Sequence, residues 1–284
     1  MENNSGNISF IVPCYESSNA LKTLLLSIPK EHEVILVNNS QEKEIKNVAS
    51  IYDCKIIQNE KNMGFGSACN IGARLAKGDF LFFLNPDSSL SPDAISELLK
   101  AVERYPEASA FNPKISDASG KHDFKRRSVL LPKKEWMSRK RPEEDKEVSV
   151  LSGSAIFIKK EVFFKISGFD ENIFLYHEDD DLSIRLKAEV GPLMYIHNAL
   201  VTHIGGSSSS RNSTIAALKG YHMGRSRVYA QKKHKIKGST LKNIMFASFQ
   251  LLSPEILFSS RKRAKFYAFF KGVNEEIFFK DKVK

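Results

Sequence analysis

Three groups of polar residues carry the side chains that metal binding and proton transfer require. Asp87 follows the apolar run 80–84, and a carboxylate at the end of a buried strand is well placed to bind a divalent cation that neutralises a diphosphate. The acidic run 178–181 offers a carboxylate that can act as general base on an incoming hydroxyl. His203 follows another apolar run and precedes a pair of glycines, so it is a candidate third metal ligand or diphosphate contact.

Each of these groups also has a structural explanation, and the residues alone leave both open. Asn-Pro-Asp-Ser at 85–88 is good turn chemistry, so Asp87 also fits a turn. The acidic run 178–181 precedes a segment with helical spacing, where negative charge stabilises a helix N-terminus. A lone histidine such as His203 is more often structural than a ligand.

The loop Asn62-Met63-Gly64-Phe65-Gly66 opens a predicted helix that contains Asn70. Small residues and free N–H groups at a helix start favour an anionic ligand. The loop is neither GxGxxG after a first strand nor GxxxxGK[ST]. The sequence therefore argues against a Rossmann dehydrogenase and a P-loop NTPase.

Short, continuously apolar runs predict the strands that position these residues. Such runs are typical of parallel strands buried on both faces, and helical spacing between them predicts βαβ units. The predicted strands lie at 8–12, 33–37, 54–58 and 80–84, and the predicted helices at 21–28, 66–76 and 95–105, the last with Ser91 as N-cap. We therefore expect a doubly wound sheet over residues 1–110, with ligands at the carboxyl ends of its strands.

The second half alternates irregular and regular segments. Residues 121–148 are rich in Lys and Arg with little periodicity, which predicts a surface loop able to order over a substrate. The sequence further predicts a strand at 150–158, helices at 160–166 and from 181 onwards, a polar linker at 207–210 and 212–214, and helices at 215–231, 241–252 and 261–270.

Charge is distributed unevenly along the chain. The 284 residues carry 43 Lys and Arg against 33 Asp and Glu, a net charge of +10. All of this excess lies beyond residue 210, where phenylalanines are also frequent. A nearly neutral body with a basic, aromatic tail indicates a domain that docks on an anionic surface.

Three cysteines without CxxC spacing predict neither a disulfide framework nor a structural zinc, and favour a reducing, cytosolic compartment. The polar N-terminus predicts no signal peptide, and no apolar run is long enough for a spanning helix. An apolar content of 42% excludes a disordered chain.

Taken in order, seven blocks between residues 8 and 235 resemble family 2 glycosyltransferases of the GT-A fold. The resemblance is closest to the rhamnosyltransferase-like branch that builds bacterial surface polysaccharides such as O-antigen. The blocks are SFIVPCYES, EVILVNNS, NMGFGSACNIGARLAKGDFLFFLNPDSSLSPD, FNPKI, LSGSAIFIKKEVFFKISGFDE, FLYHEDDDLSIRL and VTHIGGSSS.

The resemblance implies an α/β fold with a Rossmann-like, mostly parallel sheet flanked by helices and a C-terminal helical extension. It implies a catalytic domain at 1–210, with a nucleotide-sugar half (1–110) and an acceptor half (111–210), and a basic amphipathic tail at 211–284. The implied nucleotide-sugar contacts are Pro13, Tyr15, Glu16, Asn38, Asn62, Gly64, Asn70, Asn85 and Gly153.

The resemblance also implies the chemistry. Asp179 would be the base of an inverting displacement, with Glu178 beside it, and Asp87 with His203 would hold Mn²⁺ or Mg²⁺ at the donor diphosphate. The donor would be a nucleoside diphosphate sugar, rhamnose by closest resemblance, and the acceptor a saccharide or a polyprenyl-diphosphate-linked oligosaccharide. Asn38 stands where the family usually has a nucleotide-binding Asp, so the donor base stays open. Asn85 replaces the first Asp of the metal-binding DxD motif, as is common in this branch.

Other interpretations remain. Another hexose or deoxyhexose donor is an alternative, as is a non-catalytic nucleotide-sugar or polysaccharide-binding module. The tail aromatics have helical spacing rather than the strand patterns of nucleic-acid binders, so no nucleic-acid partner is expected. We expect the tail to lie on anionic lipid at the inner face of the cytoplasmic membrane. The alternative is that its helices pack on the protein or on a second copy in a homodimer.

Overall fold

The computed structural model describes residues 6–203 and 212–278, which form an α/β fold around a central sheet. The strands are β1 (Ile8–Cys14), β2 (Glu33–Asn38), β3 (Lys55–Gln58), β4 (Phe80–Leu84), β5 (Ser88–Leu90), β6 (Ala110–Ser116), β7 (His122–Asp123), β8 (Lys146–Val148), β9 (Ala155–Lys159) and β10 (Leu193–His203). The helices are α1 (Ser18–Ser27), α2 (Glu44–Ile51), α3 (Phe65–Leu75), α4 (Ala94–Arg104), α5 (Lys160–Lys165), α6 (Glu178–Glu189), α7 (Ser213–Lys233), α8 (Ser239–Leu251), α9 (Glu255–Phe258) and α10 (Ser260–Phe278).

The sheet has the strand order β3-β2-β1-β4-β9-β6-β10-β5. The first four strands are parallel, as predicted. Beyond β4 the directions are mixed, because β9 runs antiparallel to both β4 and β6 while β6 and β10 are parallel. The expectation of a mostly parallel sheet therefore holds only for the first half. A strand buried on both faces has the same apolar pattern in either direction.

Two apolar clusters cover the two faces of the sheet. Phe10 and Val12 of β1 pack on one face with Leu21 of α1, whereas Ile11 packs on the other face with Cys69 of α3. All seven residues of β1 are buried. This double burial is why the strand is continuously apolar rather than alternating.

Several predicted elements are confirmed and others need correction. The first four strands and the helices between them lie within a few residues of the predicted positions, but α2 and β6 were not predicted. Of the predicted strand 150–158, only residues 155–158 lie in a strand, which is β9 (Ala155–Lys159). Ser91 is not an N-cap, because α4 begins at Ala94 after Asp93 and the Ser91 carbonyl accepts the Ala94 N–H.

The basic segment 121–148 was predicted as an irregular surface loop. It contains β7, β8 and a 3₁₀ turn at Lys133–Glu135, and its strands pair with β6 and β10. These pairings fix the segment beside the acidic run. Hydrophobic periodicity could not predict these strands. Short edge strands bury little apolar surface, so they can consist mostly of charged residues.

The C-terminal helices form a packed unit. Gly220 and Gly224 of α7 face α10, and Gly272 of α10 faces α7; a Cβ at any of them would collide with the backbone of the other helix. Small residues permit this close approach, so α7 and α10 are not free interfacial helices. The predicted linker at 207–210 lies outside the described residues. Within the described ranges, no helix combines the length and hydropathy needed to span a membrane.

Candidate active site

A cavity of about 250 Å³ opens at the carboxyl ends of β1 and β4. Ligands bind at this edge of open α/β sheets because the loops that follow the strands converge there. Five predicted nucleotide-sugar contacts line the cavity: Pro13, Tyr15, Asn62, Gly64 and Asn85. Tyr176 from the loop before α6 and Lys219 from α7 form part of the opposite wall.

Gly64 holds one wall of this first cavity in place. Its φ of +86° lies in the left-handed region, and a Cβ there would strike the carbonyl group of Phe174. The Gly64 N–H donates to Asn62 Oδ1 at 2.9 Å, and the Gly64 carbonyl accepts from Asn39 Nδ2 at 2.9 Å. The Phe65 N–H then donates to the Phe174 carbonyl at 2.9 Å. Glycine is required here because only glycine combines this conformation with so close an approach.

Asp87, Asn85 and His203 meet at the end of β4. Antiparallel pairing of β5 with β10 places His203 opposite Ser88 and so beside the turn 85–87. His203 Nε2 lies 3.1 Å from Asp87 Oδ1 and 3.1 Å from Asn85 Nδ2. Asp87 is almost fully buried, and its charge acts on Lys219, whose pKa burial lowers while Asp87 opposes that shift.

These three side chains fit a divalent cation that shares its coordination with a diphosphate. They supply a carboxylate oxygen, an imidazole nitrogen and an amide that can turn its oxygen inward. In the described part of the chain, no three His, Cys, Asp or Glu residues come together to hold a metal alone. Mg²⁺ and Mn²⁺ sites of this class take few protein ligands and complete the shell with substrate phosphates and water.

The acidic run begins α6. Tyr176 and His177 just before it both have left-handed backbones, with φ of 67° and 69°. This conformation is costly outside glycine and is retained mainly at functional sites. It turns the chain so that His177 Nδ1 lies 2.9 Å from Asp180 Oδ2.

Asp179 is held by three contacts. Its Oδ2 accepts the Gly153 N–H at 2.8 Å, and its Oδ1 accepts the Asp180 N–H at 2.9 Å. The Lys125 ammonium from the basic segment lies 2.6 Å from Asp179 Oδ2 and 2.8 Å from Asp180 Oδ1. The Asp179 carboxylate therefore has one orientation, as a base aimed at a fixed hydroxyl must have.

The carboxylates next to Asp179 differ in electrostatic environment. Burial, reinforced by the charge of Asp179, raises the pKa of Glu178 to about 8. Burial would also raise the pKa of Asp180, but Lys125 and His177 hold it well below its usual range. The pKa of Asp181 is likewise lowered against the effect of burial, because His234 hydrogen-bonds to it and the cations Arg185 and Lys233 lie beside it. Glu178 is therefore largely neutral near pH 7, whereas Asp180 and Asp181 are ionised.

A second cavity of about 530 Å³ lies over the acidic run. Glu178, Asp179 and Asp180 line one side, and Lys125, Arg127 and Trp136 of the basic segment line another. Tyr176 belongs to the walls of both cavities. The arrangement can hold one substrate at the sheet edge and a second next to a carboxylate.

Residues 9–166 match the family model described as glycosyl transferase family 2, which is more than half of the 284-residue chain. The chain belongs to this family. The family assignment made from the seven sequence blocks is confirmed, and the protein is a glycosyltransferase.

Curated relatives of this glycosyltransferase include rhamnosyltransferases. The N-acetylglucosaminyl-diphospho-decaprenol L-rhamnosyltransferase of Mycobacterium tuberculosis is 26% identical over 223 residues, which cover 68% of this chain and 73% of the relative. Rhamnosyltransferase WbbL of Escherichia coli K12 is 26% identical over 215 residues, which cover 66% of this chain and 80% of the relative. The predicted likeness to the rhamnosyltransferase branch is confirmed.

A solved structure supports the fold. The mannosyltransferase PcManGT from Pyrobaculum calidifontis, crystallised with GDP-Man and Mn²⁺, matches with a TM-score of 0.58 over 98% of this chain and 89% of its own. The two sequences are 11% identical, so the likeness concerns the fold alone. The predicted GT-A fold of this glycosyltransferase is confirmed.

Four predicted nucleotide-sugar contacts, Glu16, Asn38, Asn70 and Gly153, lie apart from the first cavity. Asn38 is fully buried, and its amide bonds Gln58, Ser40 and the Glu42 carbonyl. Asn70 bonds the backbone of Phe169 at 2.8 Å and 2.9 Å, which ties α3 to the loop before α6.

These two amides position loops, since their hydrogen-bonding groups already have protein partners. Glu16 is exposed and has a left-handed φ of 51°, outside the cavity lining. Gly153 contacts Asp179 rather than the first cavity.

Sequence reasoning missed two cations of the site. Lys219 lines the first cavity, and Lys125 contacts Asp179 in the second. Lys219 lies on a helix that the sequence assigned to the tail. Lys125 lies in a charge-rich segment where no spacing distinguishes one Lys from the next, so no sequence signal could have singled it out.

Helix α7 is part of the site. Asp181 Oδ1 lies 2.7 Å from Lys233 Nζ and 2.8 Å from His234 Nε2, and Asp181 Oδ2 lies 2.9 Å from Arg185 Nε. The His222 ring stacks on Phe174 with 3.8 Å between centroids. The predicted boundary at residue 210 therefore does not separate the site from the tail, because α7 is bound to the loop and helix that carry the acidic run.

Proposed function

We propose that this glycosyltransferase transfers a sugar, with inversion, from a nucleoside diphosphate donor to a hydroxyl of a saccharide or polyprenyl-diphosphate-linked acceptor. The observation that carries the proposal is the position of Asp179, a fixed carboxylate at the wall of the second cavity, next to a residue shared with the first cavity. Rhamnose is our first choice of sugar because two similar curated relatives are named rhamnosyltransferases.

The donor binds in the first cavity under this proposal. Pro13 and Tyr15 lie against the nucleoside, and the loop at Gly64 presents the start of α3 to the diphosphate. Helix N-termini favour anions because their N–H groups are free and the dipole is positive there. Lys219 adds a positive charge to the same wall.

Asp87, His203 and the Asn85 amide would hold the divalent cation. A Mn²⁺ or Mg²⁺ ion there would neutralise the charge that develops on the departing nucleoside diphosphate. His203 can bind a cation only through an unprotonated nitrogen, and the nitrogen that faces Asp87 is Nε2. The cation requirement is thus also a requirement for neutral His203.

Asp179 accepts the proton of the acceptor hydroxyl as the oxygen attacks the anomeric carbon. Its fixed orientation would hold the acceptor hydroxyl in place for attack, which lowers the entropy cost of bringing the two substrates together. A single displacement inverts the anomeric configuration. Glu178 is buried and largely neutral near pH 7, so it supports the site as a proton-bearing neighbour rather than as the base.

The C-terminal helices supply a surface for lipid in the same proposal. Large apolar side chains of α8 and α9 are exposed, namely Leu241, Met245, Phe246, Phe249, Leu252, Leu257 and Phe258. The basic run Arg261-Lys262-Arg263 follows immediately at the start of α10. Exposed aromatic and aliphatic groups beside basic residues are typical of helices that lie on anionic membranes. We infer that the protein acts at the inner face of the cytoplasmic membrane.

The test is a screen of UDP-, dTDP- and GDP-sugars with Mn²⁺, in which donor hydrolysis and transfer are followed for wild type and Asp179→Asn. Wild type should turn over one donor class, and Asp179→Asn should lose transfer while nucleotide affinity stays within a few-fold. Asp93→Asn is the matched control, because Asp93 is exposed at the start of α4 and Asn also suits that position. An active Asp179→Asn enzyme would refute the assignment of the base.

Two alternatives have their own outcomes in that screen. Turnover of a different hexose or deoxyhexose donor would keep the mechanism and replace rhamnose. Binding of a donor without turnover by wild type would favour a non-catalytic nucleotide-sugar or polysaccharide-binding module. Retention of Asp87, Asp179 and His203 speaks against the second alternative, because a module without catalysis has no need of a base.

A further inference from the structure

The ion pair of Lys125 obstructs the chemistry that Asp179 would perform. The Lys125 ammonium lies 2.6 Å from Asp179 Oδ2, the oxygen that also accepts the Gly153 N–H. Asp179 Oδ1 accepts the Asp180 N–H. Both oxygens of the carboxylate therefore already accept strong donors, and an acceptor hydroxyl must displace one of those donors before it can hydrogen-bond to Asp179.

Lys125 cannot leave this position by losing its proton. Burial alone would lower its pKa, but Asp179 and Asp180 hold the pKa of Lys125 well above its usual range. The side chain is about three-quarters buried, with 24% exposed. A charge in such surroundings moves only when another anion takes over part of its pairing, because an unpaired buried ammonium is costly.

The second cavity has room and charge for such an anion. Arg127 lies two residues further along the same segment and also lines the cavity, where its guanidinium lies 5.5 Å from the centre of the Trp136 ring. Across residues 6–203 and 212–278, Arg127 makes no ion pair, unlike Lys125. Among the described residues, the cavity therefore contains one cation that has no carboxylate partner, Arg127, next to a second cation, Lys125, that pairs with two carboxylates.

We propose that Lys125 is a positioning residue that makes Asp179 available as a base when the acceptor carries a phosphate or diphosphate. The anionic group binds Arg127 and draws the Lys125 ammonium away from Asp179 Oδ2, which leaves that oxygen for the acceptor hydroxyl. The proposal rests on the proposed function and narrows its acceptor to phosphate-bearing molecules. When the acceptor is a neutral saccharide, the Asp179 carboxylate stays paired with Lys125.

Binding can be measured without catalysis because Trp136 is the only tryptophan of the chain and lines this cavity. Geranyl diphosphate, a short prenyl diphosphate, is titrated in the presence of EDTA. The chelator removes divalent cations, so the probe cannot bind at Asp87 through a metal ion. Saturable quenching of Trp136 fluorescence is expected for wild type. Lys125→Met should weaken the apparent affinity about tenfold or more, as loss of a charge-assisted contact does.

Two further variants separate charge from structure. Lys125→Arg keeps the charge and should retain most of the affinity. Lys134→Met changes an exposed lysine of the 3₁₀ turn and should bind like wild type. Absence of quenching by wild type, or equal affinity in Lys125→Met, would overturn the proposal.

Kinetics provide the second readout, with two acceptors that carry the same sugar as a prenyl diphosphate or as a neutral alkyl glycoside. Wild type should prefer the diphosphate in kcat/KM, and Lys125→Met should reduce that preference about tenfold or more. An unchanged preference in Lys125→Met contradicts the role of Lys125. A wild type that transfers to neither acceptor, or an active Asp179→Asn, contradicts the proposed function instead.

Discussion

Replacement of Glu178 by glutamine should stabilise the protein at alkaline pH. Glu178 is 7% exposed, and burial raises its pKa from 4.5 to about 8. A carboxyl group whose pKa is raised on folding contributes stability that is fully present below pH 4.5 and is lost as the pH rises through 8. Glutamine has nearly the same shape and no charge, so it removes this loss.

The size of the effect follows from the shift. At about 1.4 kcal/mol for each pKa unit, the whole loss amounts to about 5 kcal/mol, and the part that falls between pH 6 and pH 9 is about 2 to 3 kcal/mol. Wild type should therefore lose about that much free energy of unfolding over this interval beyond what Glu178→Gln loses. Lys125 opposes the shift but does not reverse it.

Urea unfolding at pH 6 and pH 9 measures the difference in each protein. Glu103→Gln is the matched control, because Glu103 is an exposed residue of α4, and it should follow wild type. If wild type and Glu178→Gln lose the same free energy between the two pH values, Glu178 is not the neutral buried group that the geometry indicates. Glu178→Gln should also keep transferase activity near pH 7, since the proposed mechanism assigns the proton to Asp179 rather than to Glu178.

Three further predictions concern the donor side and the membrane. Gly64→Ala should weaken nucleotide binding about tenfold or more in calorimetry, because a left-handed alanine there strikes a facing carbonyl. Gly120→Ala is the matched control, because Gly120 also has a left-handed φ, of +79°, but an added Cβ there would contact nothing. It should bind the nucleotide like wild type. Asp87→Ala should abolish the Mn²⁺ dependence of donor affinity, and equal donor affinity in both proteins would contradict the metal assignment. Phe249→Ser with Phe258→Ser should reduce flotation on anionic vesicles; unchanged flotation would count against the tail as a lipid surface.

The sequence predicted the candidate site best where polar residues directly follow a buried strand. Continuous apolar runs located β1, β2 and β4. Tyr15 directly after β1 and Asn85 directly after β4 lie at the first cavity, as expected. His203 was expected beside Asp87, and the β5–β10 ladder brings them together. Hydrophobic burial determines these strands, so their ends can be predicted from composition and order alone.

Polar side chains at a strand end are harder to interpret. Asn38 lies at the carboxyl end of a strand, as Asn85 does, yet its amide is hydrogen-bonded to neighbouring protein groups. Whether an amide meets a ligand or another loop depends on contacts distant in sequence, such as the 20-residue separation of Asn38 and Gln58. Nothing in local spacing encodes that difference. The same holds for Lys125, whose partners are more than 50 residues away.

The tail illustrates a different limit. Basic residues and phenylalanines at helical spacing predicted amphipathic helices, and α7, α8 and α10 are helices. The pattern could not reveal that Gly220 and Gly224 allow α7 to pack closely against α10. Judged from the sequence alone, a glycine within a helix is destabilising. Its benefit for packing depends on which backbone approaches it. Most large apolar side chains that remain exposed in the tail lie in or next to α8 and α9, and Tyr267 and Phe278 of α10 are exposed as well.

The acidic run joins these parts into one mechanism. Four consecutive carboxyl groups have four environments. Glu178 is buried and its pKa is raised, Asp179 faces the second cavity, Asp180 pairs with Lys125 and His177, and Asp181 anchors α7. Because α7 also carries Lys219 into the first cavity, the helix that receives Asp181 carries a wall of the donor site as well. Under the proposed function, the run therefore supplies the base and fixes a wall of the donor cavity, so donor position and base position depend on one short segment.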